Sequence, residues 1–134
     1  MAVFCAVIAI YDIRAYRIPD FLLVLFCIMH IAIEGNLIYY TIASKLYCAC
    51  AALIIFSAAW YVTKGLGLGD VKYAAVLSFL LGPENIIPAF FATAFIGMLV
   101  FFTGIVIYKW PKTVKIPYAP FLSAGAILTS GGFI

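Results

Sequence analysis

Asp12 and Asp70 are the residues of this chain whose type and setting could do chemistry. Only five carboxylates occur, Asp12, Asp20, Glu34, Asp70 and Glu84, in 134 residues that are 68% hydrophobic and 10% charged, with mean hydropathy +1.23. An acid near a bilayer core is costly, so each such residue is a functional-site hypothesis by default. Asp12 follows Tyr11 and precedes a basic loop, and Asp70 closes Gly67-Leu-Gly-Asp70. Two close carboxylates in a partly dry site cannot both ionise easily, and they share a proton at working pH. Such a pair offers a general base and a general acid at one place, and a water between them can attack a peptide carbonyl. Gly67 and Gly69 would allow close backbone approach and unusual dihedrals beside Asp70. The structural alternatives are plain: Asp70 as the N-cap of a helix, and Asp12 paired with Arg14, Arg17 or Lys72.

The elements that must position this pair are apolar. Six segments are expected, over residues 1–13, 20–33, 38–63, 70–81, 86–108 and 117–133. Gly, Pro and Asn punctuate the breaks between them for backbone reasons. Residues 86–108 carry no charge and meet the roughly 20-residue length that crosses a bilayer. Segments 1–13 and 70–81 are short, about 18–20 Å as ideal helix, and span only with flanking residues or in a thin bilayer. A soluble domain of this size could not hide so much apolar surface. The fold class expected is an all-α polytopic membrane protein of about six transmembrane helices, with residues 1–134 as a single integral membrane domain.

Charge supplies the orientation. Arg14, Arg17, Lys64, Lys72, Lys109, Lys112 and Lys115 fall in or beside the first, third and fifth breaks, whereas the second and fourth hold Glu34 and Glu84. By the positive-inside rule this gives an N-out/C-out topology with the odd breaks in the cytoplasm. Lys45, inside the third segment, is expected to snorkel to the outer interface. Asp12 ends the first segment inside and Asp70 begins the fourth inside, so both acids are expected at one depth on the cytoplasmic side. The net charge of +3 is distributed for membrane orientation and is no nucleic-acid signal. Cys5, Cys27, Cys48 and Cys50 lie in apolar segments without a CxxC pair, so no zinc framework is expected. Met1–Tyr11 lacks the basic leader and small-residue site of a cleavable signal peptide.

Three segments, in order, resemble the type IV prepilin peptidases. Tyr11-Asp-Ile-Arg-Ala-Tyr-Arg-Ile-Pro-Asp20 resembles the family's first motif, Gly67-Leu-Gly-Asp-Val-Lys72 its GxGDxK motif, and Lys115-Ile-Pro-Tyr-Ala-Pro-Phe-Leu-Ser-Ala-Gly125 its closing segment. The resemblance implies a GxGD-type aspartic endopeptidase bundle with Asp12 and Asp70 as the catalytic dyad. Gly67, Gly69 and Lys72 would support the site, and Pro117 and Pro120 would shape an irregular segment lining it. The implied partners are prepilin or pseudopilin substrates, cut at the cytoplasmic face of the cell membrane to remove a short basic leader, and membrane lipids. No metal or organic cofactor is implied. Many members also carry a tetracysteine region and methylate the new N-terminus. Neither is expected here, so the form implied is peptidase-only.

Other residues have quieter readings. Asp20 reads as the N-cap of the second helix, Lys72 as an interfacial anchor or a charge beside a catalytic carboxylate, and Arg14 and Arg17 as topology and headgroup contacts. His30 is expected in packing, Gly97 and Gly104 in close helix contacts, and Trp60, Tyr108 and Trp110 at the membrane interfaces. Two rivals share the same acids. One is a presenilin- or signal-peptide-peptidase-like protease, for which the chain is short. The other is a small proton- or cation-coupled carrier, whose acids would sit near the midplane in broken helices.

Overall fold

The computed structural model describes residues 2–15, 18–34, 38–63, 67–107 and 117–131. Arg17, Lys64, Tyr108, Lys109, Trp110, Lys112 and Lys115, invoked above for topology and interface, lie outside the described residues. Every regular element among the described residues is a helix. The elements are α1 (Ala2–Ala15), α2 (Asp20–Glu34), α3 (Ile38–Thr63), α4 (Leu68–Val106) and α5 (Ala119–Ser130).

Local chemistry sets several of the ends. Pro19 precedes α2 and its carbonyl accepts from Leu22 N–H, while Asp20 places a negative charge at the helix start. Pro120 sits in the first turn of α5, where a missing N–H costs nothing. Gly131 closes α5 by donating its N–H to Ile127 O.

Six apolar segments become five helices because the fourth and fifth run together as α4, with no loop between them. Gly82 interrupts this helix with φ 70° and ψ −179°, a conformation that favours glycine. Pro83 follows as the first residue of a new helical leg. The break is sharp. Tyr73 bonds Ser123 and Thr93 bonds the Phe121 carbonyl, so residues on both sides of Gly82 reach neighbouring positions on α5. In a straight helix residues 73 and 93 would be about 30 Å apart. The axis must therefore turn back at Gly82.

The core lies where α1, α2, α5 and the first leg of α4 meet. Ile8, Phe26, Tyr73, Leu77 and Leu122 are fully buried there. Phe4 of α1 stacks on Phe26 of α2 with ring centroids 5.2 Å apart. α3 packs along α4, with Phe56 against Phe90 at 5.3 Å, and otherwise presents an exposed apolar face that includes Ile54, Tyr61 and Val62. Stretches Ile42–Val62 and Leu68–Gly104 are long and apolar enough to cross a membrane. A helix apolar on all sides, yet exposed, is consistent with a lipid solvent.

The close helix approach falls elsewhere than expected. A Cβ on Gly97 would lie 4.0 Å from the Phe121 ring, an ordinary contact. A Cβ on Gly125 of α5 would instead collide with Thr93 Oγ1 and the Ala89 carbonyl. Thr93 Oγ1 fills that seam, its one hydroxyl proton within reach of two carbonyls, Ala89 O at 2.8 Å and Phe121 O at 3.2 Å. Lys45 packs beside Gly82, its Cε 3.6 Å from where a Cβ would stand, at the end of the first α4 leg away from Asp70. His30 meets the Phe26 ring edge-on at 6.5 Å.

Candidate active site

Three helix ends converge on one pocket. Asp12 comes from the last turn of α1, Asp70 from the first turn of α4, and the Ala119 N–H from the start of α5. Both acids line a cleft of about 330 Å³, together with Ile18, Asp20, Gly67, Leu68, Gly69 and Lys72. Asp12 is 5% exposed and Asp70 8% exposed. Ala119 donates its N–H to Asp12 Oδ2 at 3.3 Å, and the same N–H faces the Asp70 carboxylate. One backbone donor thus lies between two buried acids, at a helix N-terminus where the dipole favours negative charge. Asp12 takes this donor as its partner, in place of the Arg14 or Lys72 considered above.

Asp70 is the third residue of α4, not its N-cap. Gly67 occupies the cap in an extended conformation, φ −77° and ψ 143°. Asp70 Oδ2 reaches back to accept from Gly67 N–H at 3.3 Å, satisfying one of the helix's orphan donors. The other oxygen, Oδ1, is buried without a hydrogen-bond partner among the described residues. A carboxylate oxygen in that state is costly to keep dry and is available to a water or substrate group.

The glycines act through size. A Cβ on Gly67 would stand 3.1 Å from Asp70 Oδ2, and one on Gly69 would stand 3.4 Å from the Ile18 backbone nitrogen. The unusual dihedrals expected at these two positions are not found, since Gly82 is the one positive-φ glycine among the described residues.

Asp20 and Lys72 close one side of the pocket. Lys72 Nζ lies 2.8 Å from both Asp20 oxygens. Asp20, expected as a helix cap, is the first residue of α2 and turns its carboxylate to α4. Lys72 answers a different acid from the two anticipated. Pro117 and Pro120 do not line the pocket; they bracket Ala119, and Pro120 lacks the N–H that would otherwise follow it in the first turn. Among the described residues, no three His, Cys, Asp or Glu side chains gather as metal ligands would.

Sequence reasoning missed Ala119 and the contacts behind it. A backbone N–H has no side-chain signature; the Pro-Tyr-Ala-Pro helix start was the available signal. Below the pocket, Tyr73 and Ser123 share a hydrogen bond of 2.7 Å, with the Cys5 thiol beside the tyrosine hydroxyl.

The family model described as the type IV leader peptidase family matches residues 1–102, which include both aspartates. The chain belongs to this family. A "Prepilin leader peptidase/N-methyltransferase" of Bacillus subtilis (strain 168) is 31% identical over 127 residues, covering 91% of this chain and 50% of that relative. This leader-peptidase-family chain therefore spans about half the length of the curated relative it matches. No solved structure matches it. The matched span also contains the Asp20–Lys72 pair, while Ala119 lies beyond the family model and within the reach of α5 alone.

Proposed function

We propose that this chain is a membrane aspartic endopeptidase that removes the short basic leader of prepilin- or pseudopilin-type substrates. The observation that carries the reading is the placement of Asp12 and Asp70 in one cleft, facing one backbone N–H, in a member of the leader peptidase family.

In the proposed reaction one carboxylate is ionised and the other carries the shared proton. The ionised group takes a proton from a water as its oxygen bonds to the scissile carbonyl carbon. The protonated group stabilises the developing oxyanion. Collapse breaks the C–N bond, and the proton passes to the leaving amine. The leader departs with a new carboxylate, and the pilin keeps a new amino terminus.

The topology proposed is six membrane crossings, counting the two legs of α4 separately, with both termini outside. The dyad then lies at the cytoplasmic face of the cell membrane, where a basic leader stays in water and the substrate's apolar helix stays in lipid. Asp12 and Asp70 stand at helix ends, which favours a boundary hydrolase over a carrier with acids at mid-membrane.

The test is cleavage of a candidate prepilin in membranes by wild type, Asp12→Asn and Asp70→Asn, all inserted at equal levels. The proposal expects the cleaved band from wild type alone. Full cleavage by either variant would falsify the two-aspartate mechanism.

A further inference from the structure

One turn or two beneath the pocket lies a second set of polar groups, buried more deeply than the acids themselves. Tyr73 and Cys5 are fully buried, and Ser123 is 2% exposed. Tyr73 Oη and Ser123 Oγ are 2.7 Å apart, and the Cys5 thiol lies against the same tyrosine hydroxyl. The three come from α4, α5 and α1, the same three helices that bring Asp70, Ala119 and Asp12 to the cleft.

Their spacing along each helix is the informative part. Tyr73 follows Asp70 by three residues, Ser123 follows Ala119 by four, and Cys5 precedes Asp12 by seven. Separations of three, four and seven return to the same helix face. Each member of the lower set therefore stands on the face below the site group of its own helix. A hydrogen-bonded side chain in an apolar core has a narrow range of acceptable positions, because losing its partner leaves a dry polar group unsatisfied. Apolar residues of the same size would fill this space without fixing distance or rotation so closely.

We propose that Tyr73, Ser123 and Cys5 form a buried polar tie that sets the separation of Asp12, Asp70 and the Ala119 N–H. These are positioning residues, and the role rests on the reading of Asp12 and Asp70 as the reacting pair. The tie fixes the three helices one layer away from the chemistry, so that the acids themselves can be left with a free oxygen. A satisfied core tyrosine with no such role would affect stability alone. The tie has two further consequences. Small changes in the separation of two coupled carboxylates change how they share a proton, and an error of about 1 Å in a reacting geometry costs up to about a hundredfold in rate.

Two measurements test it. The first is leader cleavage by Tyr73→Phe, Ser123→Ala and the double variant in membranes, with kcat, KM and the pH profile of kcat. Tyr73→Phe is expected to lower kcat by about tenfold at nearly unchanged KM and to displace the pH profile; the double variant should be little worse than either single one. The second needs no catalysis: the rate of disulfide formation in Asp12→Cys/Asp70→Cys, mapped by mass spectrometry, with and without Tyr73→Phe. The tie predicts slower crosslinking once the hydroxyl is gone. An unchanged crosslinking rate, or a Tyr73→Phe enzyme with wild-type kcat and pH profile, overturns the tie. If Asp70→Asn cleaves normally while Tyr73→Phe still slows crosslinking, the catalytic assignment fails and the positioning of residues 12 and 70 by the tie stands.

Discussion

Lys72 of α4 grips Asp20 of α2 with its Nζ 2.8 Å from each carboxylate oxygen, across 52 residues of sequence. The pair stands at the rim of the cleft that holds Asp12 and Asp70. Both side chains are more than half exposed, so water and salt screen the attraction. Its importance is geometric: it joins the loop carrying Ile18 to the helix start carrying Asp70.

Separating these partners should therefore leave stability nearly intact. Lys72→Met or Asp20→Asn is expected to cost about 1 kcal/mol or less in detergent unfolding. Leader cleavage should fall more than stability does, and the exchange Asp20→Lys/Lys72→Asp should recover part of it. Equal losses in the exchange and in both singles would show that the ion pair is not what matters.

Gly67→Ala makes a sharper separation between site and fold. Its backbone, φ −77° and ψ 143°, suits alanine, so unfolding should move by about 1 kcal/mol or less. The added Cβ would stand 3.1 Å from Asp70 Oδ2 and press the carboxylate from its place. Cleavage is expected to drop about tenfold. An alanine enzyme as fast as wild type would mean that the carboxylate has room to retreat.

Gly125→Ala should do the reverse and strike the fold. Its Cβ meets the Ala89 carbonyl and Thr93 Oγ1, and a backbone atom cannot swing aside as a side chain can. A loss of about 1–3 kcal/mol or more is expected. Gly97→Ala, whose Cβ would sit 4.0 Å from the Phe121 ring, is the control and should stay near wild type. Thermal unfolding of the two variants in one detergent decides the comparison.

The proposed sharing of a proton by Asp12 and Asp70 would have a signature in pH. At low pH both carboxyls are protonated and the base is lost; at high pH both are ionised and the acid is lost. The rate of leader cleavage should therefore be bell-shaped. Asp12→Asn and Asp70→Asn, assayed for any residual cleavage, should each lack the bell. A rate that rises to a plateau without a descending limb would point to a single titrating group.

The acids were legible because they are scarce. In a chain with five carboxylates, Asp12 and Asp70 stand out beside a basic loop and a glycine-rich turn. Segment boundaries were legible to within a few residues because hydropathy and Gly/Pro punctuation mark them. Gly82-Pro83 was legible as a break, yet not as one made by a single residue with the helix resuming at once. What could not be read is contact across the chain. The Asp20–Lys72 pair, Tyr73 with Ser123, and Gly125 against Ala89 all depend on how helices rotate about their axes. Helices apolar on every side carry no periodicity to fix that rotation. The Ala119 N–H was hidden for a simpler reason: every residue but proline has one.

The helices that bring the acids to the cleft are short. α1 has 14 residues, α5 has 12, and the first leg of α4 runs only from Leu68 to Gly82. Each is about 18–21 Å long as ideal helix, against a hydrocarbon layer of about 30 Å. Lipid meeting so short a wall thins to match it. On the proposed topology the membrane surface would be drawn down like a meniscus around the first leg of α4, which Gly82 ends, while α3 and the longer second leg would hold full thickness. Water would then reach the carboxylates through a dimple in the membrane surface.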